Sequence, residues 1–180
     1  MNKLSNLILR YLLIVLFGLG NLYIFYLIFT PLTTNIVYLI LNVFSNPTIN
    51  GTVITLGDSI IKIIPACVAG SAYYLLLVLA LSTPNLSIKD YFKLVAISFG
   101  LFLSINVLRI IFLILIRNSS QFELIHNIFW YVISTIIVVL IWFYLVKRYK
   151  IKDYPIVSDL KYLFRLSKKA KKTKRTKQNN

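Results

Sequence analysis

The segment Ile64-Pro65-Ala66-Cys67-Val68-Ala69-Gly70-Ser71 lies where a polar, strand-like stretch becomes a long apolar run. It contains the only cysteine of the 180-residue chain. Proline suits the first turn of a helix, because its missing N–H would be unpaired there in any case. The segment therefore predicts a helix that carries Cys67 in its first turn, where negative charge, and hence the reactive thiolate, is favoured. A lone cysteine in an apolar run is more often a packing residue, so the rest of the chain must decide between the two interpretations.

The composition is that of a membrane protein. Hydrophobic residues make up 58% of the chain and charged residues 14%, and the mean hydropathy is +0.79. These values exclude an ordinary soluble domain, and several apolar runs reach the ~20 residues that a bilayer crossing needs. With one cysteine and one histidine, the sequence predicts no disulfide, no metal site and no cofactor.

The apolar runs predict an all-α integral membrane fold with about four transmembrane helices. A shorter, interrupted run after Pro31 predicts an interfacial helix. A stretch rich in isoleucine and valine, with glycines at its turns, predicts a small extracytoplasmic hairpin. The predicted elements are the spans 8–29, 66–82, 91–116 and 127–146, the interfacial helix 32–45 and the hairpin 48–64.

The distribution of positive charge predicts the orientation of the chain. Thirteen of the twenty Lys and Arg residues follow residue 146. Four crossings with the N-terminus inside put seventeen of them in the cytoplasm and leave Lys62 and Arg117 outside, as the positive-inside rule requires. We therefore expect a multi-pass protein of the cell membrane, with a membrane-embedded domain (1–146) and a cytoplasmic basic tail (147–180).

The basic tail allows three interpretations. It can be a solvated orientation signal or a contact with anionic membrane lipids. Residues 155–167 alternate apolar and charged side chains and could lie flat on the inner leaflet, whereas the lysine-rich residues 168–180 are expected to be disordered. Nucleic acid is the least favoured partner, because no stacking motif accompanies the charge.

Three reactive residue types are predicted at the outer face: Cys67 at the start of one span, Arg109 near the end of the next, and His126 just before the last. A thiol, an imidazole that exchanges a proton near neutral pH, and a fixed cation that stabilises an oxyanion are the groups that acyl transfer requires. Asn106 shares a helix face with Arg109 and could hold the guanidinium or a substrate carbonyl. The alternatives are that Arg109 extends to lipid headgroups and that Asn106 bonds a neighbouring helix.

Three stretches resemble the exosortase/archaeosortase family: Ala66-Cys67-Val68-Ala69-Gly70, Asn106-Val107-Leu108-Arg109-Ile110, and His126 before a final span. The resemblance covers roughly residues 30–146, and the short chain is most similar to compact archaeal-type members. Val68 and Ala69 follow the cysteine where many members have Ser or Thr and then Gly.

The resemblance implies a membrane cysteine peptidase or transpeptidase. Cys67 would be the nucleophile, Arg109 would stabilise the acyl intermediate or bind the carbonyl, and His126 would be the general acid and base. Its partners would be exported proteins with a C-terminal motif, a transmembrane helix and a basic cluster, which it would cleave and transfer to an acceptor such as a lipid, at a site that faces outward. The alternative is a non-catalytic transporter subunit or assembly factor that uses Arg109 for an anionic ligand.

Overall fold

A computed structural model describes residues 3–84, 86–151 and 157–178 of the chain. Eight α-helices, one π-helical turn and three short strands follow one another in these ranges. In chain order they are α1 Lys3–Gly18, α2 Tyr23–Phe44, β1 Thr48–Asn50, β2 Val53–Leu56, β3 Ser59–Lys62, α3 Pro65–Val68, α4 Gly70–Leu81, α5 Ile88–Leu115, α6 Phe122–Ile128, the π-helical turn Phe129–Ile133, α7 Ser134–Arg148 and α8 Val157–Gln178.

Three helical stretches in the described part of the chain are long and apolar enough to cross a membrane: Tyr23–Phe44, Ile88–Leu115 and Phe122–Arg148. Two further apolar helices, Leu4–Gly18 and Pro65–Leu81, are shorter. Many large apolar side chains of α1, α2 and α7 are exposed, as expected for a surface that contacts lipid. The fold is therefore mostly helical as predicted and consistent with a membrane protein, with three helical stretches of spanning length and two shorter apolar helices.

The first predicted span, 8–29, and the interfacial helix, 32–45, are both wrong in their boundaries. The chain turns earlier, at Gly20, Asn21 and Leu22, which all have positive φ angles (81°, 53° and 61°). Helix α2 then continues through Pro31. A proline is tolerated inside an apolar helix when neighbouring groups satisfy the freed backbone, so Pro31 does not end the helix, whereas Gly20 lies in the turn that does.

The order of contacts gives the direction of the helices. Arg10 of α1 donates to the Leu81 carbonyl, and the Tyr74 hydroxyl donates to the Ile14 carbonyl, so α1 runs antiparallel to α4. Helix α2 continues in the same direction as α1, because its beginning contacts α4 through Phe25 and Tyr74 and it also contacts α3, which precedes α4. Helices α1 and α2 therefore pass along α4 one after the other, with the turn between them.

Helix α5 runs antiparallel to α4 and fixes the two ends of the bundle. At its beginning, the Tyr91 hydroxyl donates to the Thr83 carbonyl. Just beyond its end, Arg117 donates to the Ser59 hydroxyl of β3, with 3.1 Å between Nε and Oγ. We call these the tail end and the sheet end of the bundle.

The strands form an antiparallel meander in the order β1-β2-β3. Ile54 pairs with Ile49 on one side and with Ile61 on the other, and its side chain is fully buried in the core. Gly51 and Gly57 adopt positive φ angles in the two connecting turns. The predicted hairpin is therefore a three-stranded sheet, which leads directly into α3.

Stacked aromatic rings form the centre of the bundle. Tyr73 of α4 stacks on Phe29 of α2 with 3.7 Å between ring centroids, and it meets Phe99 and Phe102 of α5 edge to face. These rings join α2, α4 and α5 through large buried contacts. They hold in place the halves of α4 and α5 that lie toward the sheet end, from which the site described below is built.

The tail begins as a helix that is attached to the bundle. Asp159 of α8 accepts two hydrogen bonds of 2.8 Å from Nη2 of Arg10, and both side chains are buried. Tyr11 donates to the same carboxylate at 3.3 Å. Helix α8 extends to Gln178, so the disorder predicted for 168–180 is wrong as far as that residue, and 179–180 lie outside the described residues.

Candidate active site

The helix around Cys67 is broken. Helix α3 has four residues, and Ala69 then takes the left-handed conformation (φ 56°, ψ 53°) before α4 begins at Gly70. The Cys67 N–H is also occupied, because it donates to the Ile64 carbonyl at 2.8 Å. The continuous helix predicted over 66–82 is therefore wrong, and a single turn supplies little of the helix dipole that was expected to favour the thiolate.

Two side chains of α5 bind the main chain of Cys67. Nη2 of Arg109 donates to the Cys67 carbonyl at 3.0 Å. Nδ2 of Asn106 donates to the same carbonyl at 2.9 Å and to the Val68 carbonyl at 3.5 Å. Because α3 ends after one turn, these carbonyls have no following turn to bond them. The predicted common face of Asn106 and Arg109 thus points at the cysteine loop.

Arg109 is buried inside the bundle, with 7% of its surface exposed. Nη1 donates to the Ser134 hydroxyl at 2.6 Å, and Nε has no partner. Among the described residues, no acidic side chain pairs with it, since the one ion pair found there joins Arg10 and Asp159. This geometry disfavours the alternative in which Arg109 extends to lipid headgroups.

One cavity of about 320 Å³ at the sheet end is lined by Cys67, Arg109 and His126 together. The rest of its wall comes from β3 and the residues after it, from the end of α5, and from α6. Those residues are Ser59, Ile60, Ile61, Lys62, Ile63, Ile64, Ile110, Leu113, Ile114, Arg117 and Phe122. The three residue types that were predicted to converge therefore share one cavity.

His126 lies within α6 rather than in a polar loop before the last helix, because that helix already begins at Phe122. Its imidazole stacks on Phe122, with 5.8 Å between ring centroids and 3° between the planes. In the described part of the chain it makes no hydrogen bond to Cys67, Asp58 or Glu123, and both acids are exposed. The phenyl ring, rather than a carboxylate, is thus the group that orients the imidazole.

Sequence reasoning missed three polar residues of the site. Lys62 and Arg117 line the same cavity, which has no acidic side chain in its wall. Ser134 accepts from Arg109 and donates from its own hydroxyl to the Phe129 carbonyl at 2.7 Å. The available signal for Ser134 was a hydroxyl next to the polar Thr135 inside an otherwise apolar helix, which is too common in membrane helices to be specific.

A second cavity of about 290 Å³ adjoins Arg109 from the other side of α3. Its wall is built mainly from α4 and α7 and contains several small and hydroxyl-bearing residues. The lining residues are Tyr26, Pro65, Ala69, Ser71, Ala72, Leu75, Arg109, Trp130, Ser134, Thr135 and Val138. Cys67 is not among them, so any reaction of the thiol belongs to the first cavity.

Comparison with known proteins gave no match: no family model, no curated protein and no solved structure is significantly similar to this chain.

Proposed function

We propose that the protein is a membrane cysteine peptidase and transpeptidase of the exosortase/archaeosortase type. The observation that supports this proposal is the single cavity whose wall contains the only thiol, the only imidazole and a buried guanidinium of the chain. Substrate amides would reach it from C-terminal sorting segments of exported proteins.

In the proposed reaction, Cys67 Sγ attacks the carbonyl carbon of the scissile amide and its proton passes to His126. Arg109 donates unused N–H groups to the oxygen that becomes negatively charged. The C–N bond then breaks, the leaving amine takes the proton from His126, and an acyl thioester remains on Cys67. An amine acceptor, such as a lipid headgroup, or water attacks the thioester and restores the thiol.

Asn106 has a supporting place in this mechanism. It is buried behind the Cys67 main chain and is not part of the cavity wall. Its amide nitrogen is committed to the Cys67 and Val68 carbonyls, whereas Oδ1 has no partner. Asn106 thus contacts the main chain of Cys67 and Val68. Direct binding of substrate by Asn106 stays a prediction.

We further propose that the sheet end faces outward and the tail end faces the cytoplasm. The contact between Arg10 and Asp159 puts the beginning of the chain and the tail at the same end of the bundle. The site is at the other end, separated from them by α4, whose twelve residues measure about 18 Å. Together with the charge distribution, this favours an outward site, to which an exported substrate has access.

The test is to co-express the protein with a tagged exported partner that carries a motif, a helix and a basic cluster. Cys67→Ala is expected to abolish processing, and His126→Ala to slow it by about 10²-fold or more, as for other general acid–base residues. Ser119→Ala, in the exposed loop before α6, is the matched control and should process normally. Processing by Cys67→Ala at the rate of the unaltered protein would show that the nucleophile is wrongly assigned.

A second candidate function is supported by the unpaired charge of Arg109. A buried guanidinium without an acidic partner is costly and suits an anionic ligand, as a non-catalytic transporter subunit or assembly factor would bind. The two functions differ in which variant is tolerated. The non-catalytic function requires Arg109 and survives Cys67→Ala, whereas the peptidase loses activity with either change.

A further inference from the structure

We propose that Ser134 is a positioning residue that holds Arg109 beside Cys67, through the π-helical turn that precedes it. This inference rests on the proposed function of the Cys67 cavity, but it concerns a residue on another helix.

The π-helical turn Phe129–Ile133 interrupts the long helix that forms the last apolar stretch. At its end, the Ser134 N–H donates to the Phe129 carbonyl, five residues back. The Ser134 hydroxyl donates to the same carbonyl, with 2.7 Å between the oxygens. Such single π turns are rare overall but frequent at functional sites, and here Ser134 donates both its backbone N–H and its hydroxyl to the same carbonyl.

The hydroxyl of Ser134 has a fixed direction. It carries one proton, which is donated to the Phe129 carbonyl, so its lone pairs are left to accept. Nη1 of Arg109 donates to this oxygen at 2.6 Å, a short distance typical of a charged donor. The turn therefore presents an acceptor, and not a donor, to the guanidinium.

Arg109 is consequently held at two points that lie on different helices. Nη1 is bound by Ser134, and Nη2 is bound by the Cys67 carbonyl. Because a guanidinium is planar and rigid, two anchors fix the plane of the whole group. Its remaining N–H donors then keep one direction relative to the Cys67 loop, which an oxyanion donor requires.

The test uses the fact that Cys67 is the only cysteine, so that alkylation of the purified protein reports on this site alone. The measured quantity is the ratio of the alkylation rate constants for iodoacetate, which is anionic, and iodoacetamide, which is neutral. A guanidinium held beside the thiol raises this ratio, since it attracts the anionic reagent. Arg109→Gln gives the ratio without this guanidinium, while Lys62 and Arg117 of the same cavity remain.

Ser134→Ala is expected to lower the ratio by about three- to tenfold, the range that corresponds to the net loss of one ordinary hydrogen bond. Ser134→Thr keeps the hydroxyl and should restore the ratio. Thr135→Ala is the matched control, because its exposed hydroxyl contacts only the Tyr131 carbonyl, at 3.4 Å. Thermal unfolding of each variant verifies that the ratio is compared between folded proteins.

The proposal is overturned if Ser134→Ala keeps the ratio of the unaltered protein, if Thr135→Ala lowers it equally, if Ser134→Thr fails to restore it, or if Arg109→Gln leaves it unchanged. In the processing assay, Ser134→Ala should lower kcat with little change in KM, since Ser134 does not reach the first cavity. Processing by Cys67→Ala would refute the proposed function alone, because the alkylation ratio does not depend on turnover.

Discussion

At the scale of single residues, the site depends on how a buried cation is accommodated. Arg109 has no acidic partner among the described residues and is held by the Cys67 carbonyl and the Ser134 hydroxyl. Neutral acceptors bind its two Nη atoms but leave its positive charge uncompensated. The guanidinium therefore lowers the free energy of a negative charge that develops nearby. A structural ion pair would have cancelled this effect.

Arg109→Lys should be nearly as damaging as Arg109→Gln. An ammonium is a point donor on a flexible chain and does not reproduce the planar group that bridges α3 and α7. We expect processing to fall by about 10²-fold or more in both variants, as for the removal of an oxyanion donor. The measurement is kcat for a tagged substrate. If the lysine variant kept full activity, charge alone would suffice and the bridging geometry would be irrelevant.

At the scale of helices and strands, elements with a strong local sequence pattern could be predicted, whereas a break fixed by tertiary contacts could not. Length and apolarity located α5 and the last apolar helix, and β-branched residues with glycine turns located the sheet. The break after α3 was missed because Ala69 has no local tendency toward a left-handed conformation. Tertiary contacts from Asn106 and Arg109 stabilise that break. The sequence of residues 64–71 alone does not indicate these contacts.

Ala69→Gly should stabilise the protein. A left-handed conformation costs a residue with a Cβ about 1–2 kcal/mol, whereas glycine costs about 0.5–1 kcal/mol through unfolded-state entropy. The net gain is up to about 1.5 kcal/mol, measurable by thermal unfolding in detergent. Ala72→Gly, inside the regular helix α4, is the control and should destabilise by about 1 kcal/mol. Equal destabilisation by both changes would contradict the backbone conformation assigned to Ala69.

Two helical glycines should respond in opposite ways to alanine. A Cβ on Gly70 would lie 2.8 Å from ring carbons of Tyr26, so Gly70→Ala should cost about 1–3 kcal/mol through overpacking of α2 on α4. A Cβ on Gly100 meets no atom within 4 Å, and Gly100→Ala in α5 should gain up to about 1 kcal/mol. Unfolding curves measure both, and a stabilising Gly70→Ala would show that α2 and α4 are not in close contact there.

At the scale of the whole molecule, one buried ion pair joins parts of the chain that are 149 residues apart. The positive-inside rule treats Arg10 only as one of the seventeen cytoplasmic cations, and Asp159 is one residue of the basic tail. Neither interpretation predicts the contact between them, because two residues 149 positions apart pair only if the helices are arranged to bring them together. The sheet end, in contrast, was largely predictable, since Cys67, Arg109 and His126 were each expected at the end of a span.

Asp159→Asn should loosen the tail. It leaves the Arg10 guanidinium buried without its counter-ion, which typically costs about 3–5 kcal/mol. Proteolysis of α8 by trypsin should accelerate and the unfolding temperature should fall. Glu123→Gln, at an exposed position, is the control and should change neither. The double variant Arg10→Gln with Asp159→Asn should lose less than the sum of the single changes, and strict additivity would argue against the pair.

The same ion pair has a consequence for biosynthesis. A ribosome that has made α1 through α7 has not yet supplied the carboxylate for Arg10, which follows in α8. Until Asp159 has been translated, the nascent bundle therefore carries an unneutralised cation at its tail end. Chains that stop before Asp159 would keep this cation without its counter-ion, so they should unfold more readily than chains that contain α8.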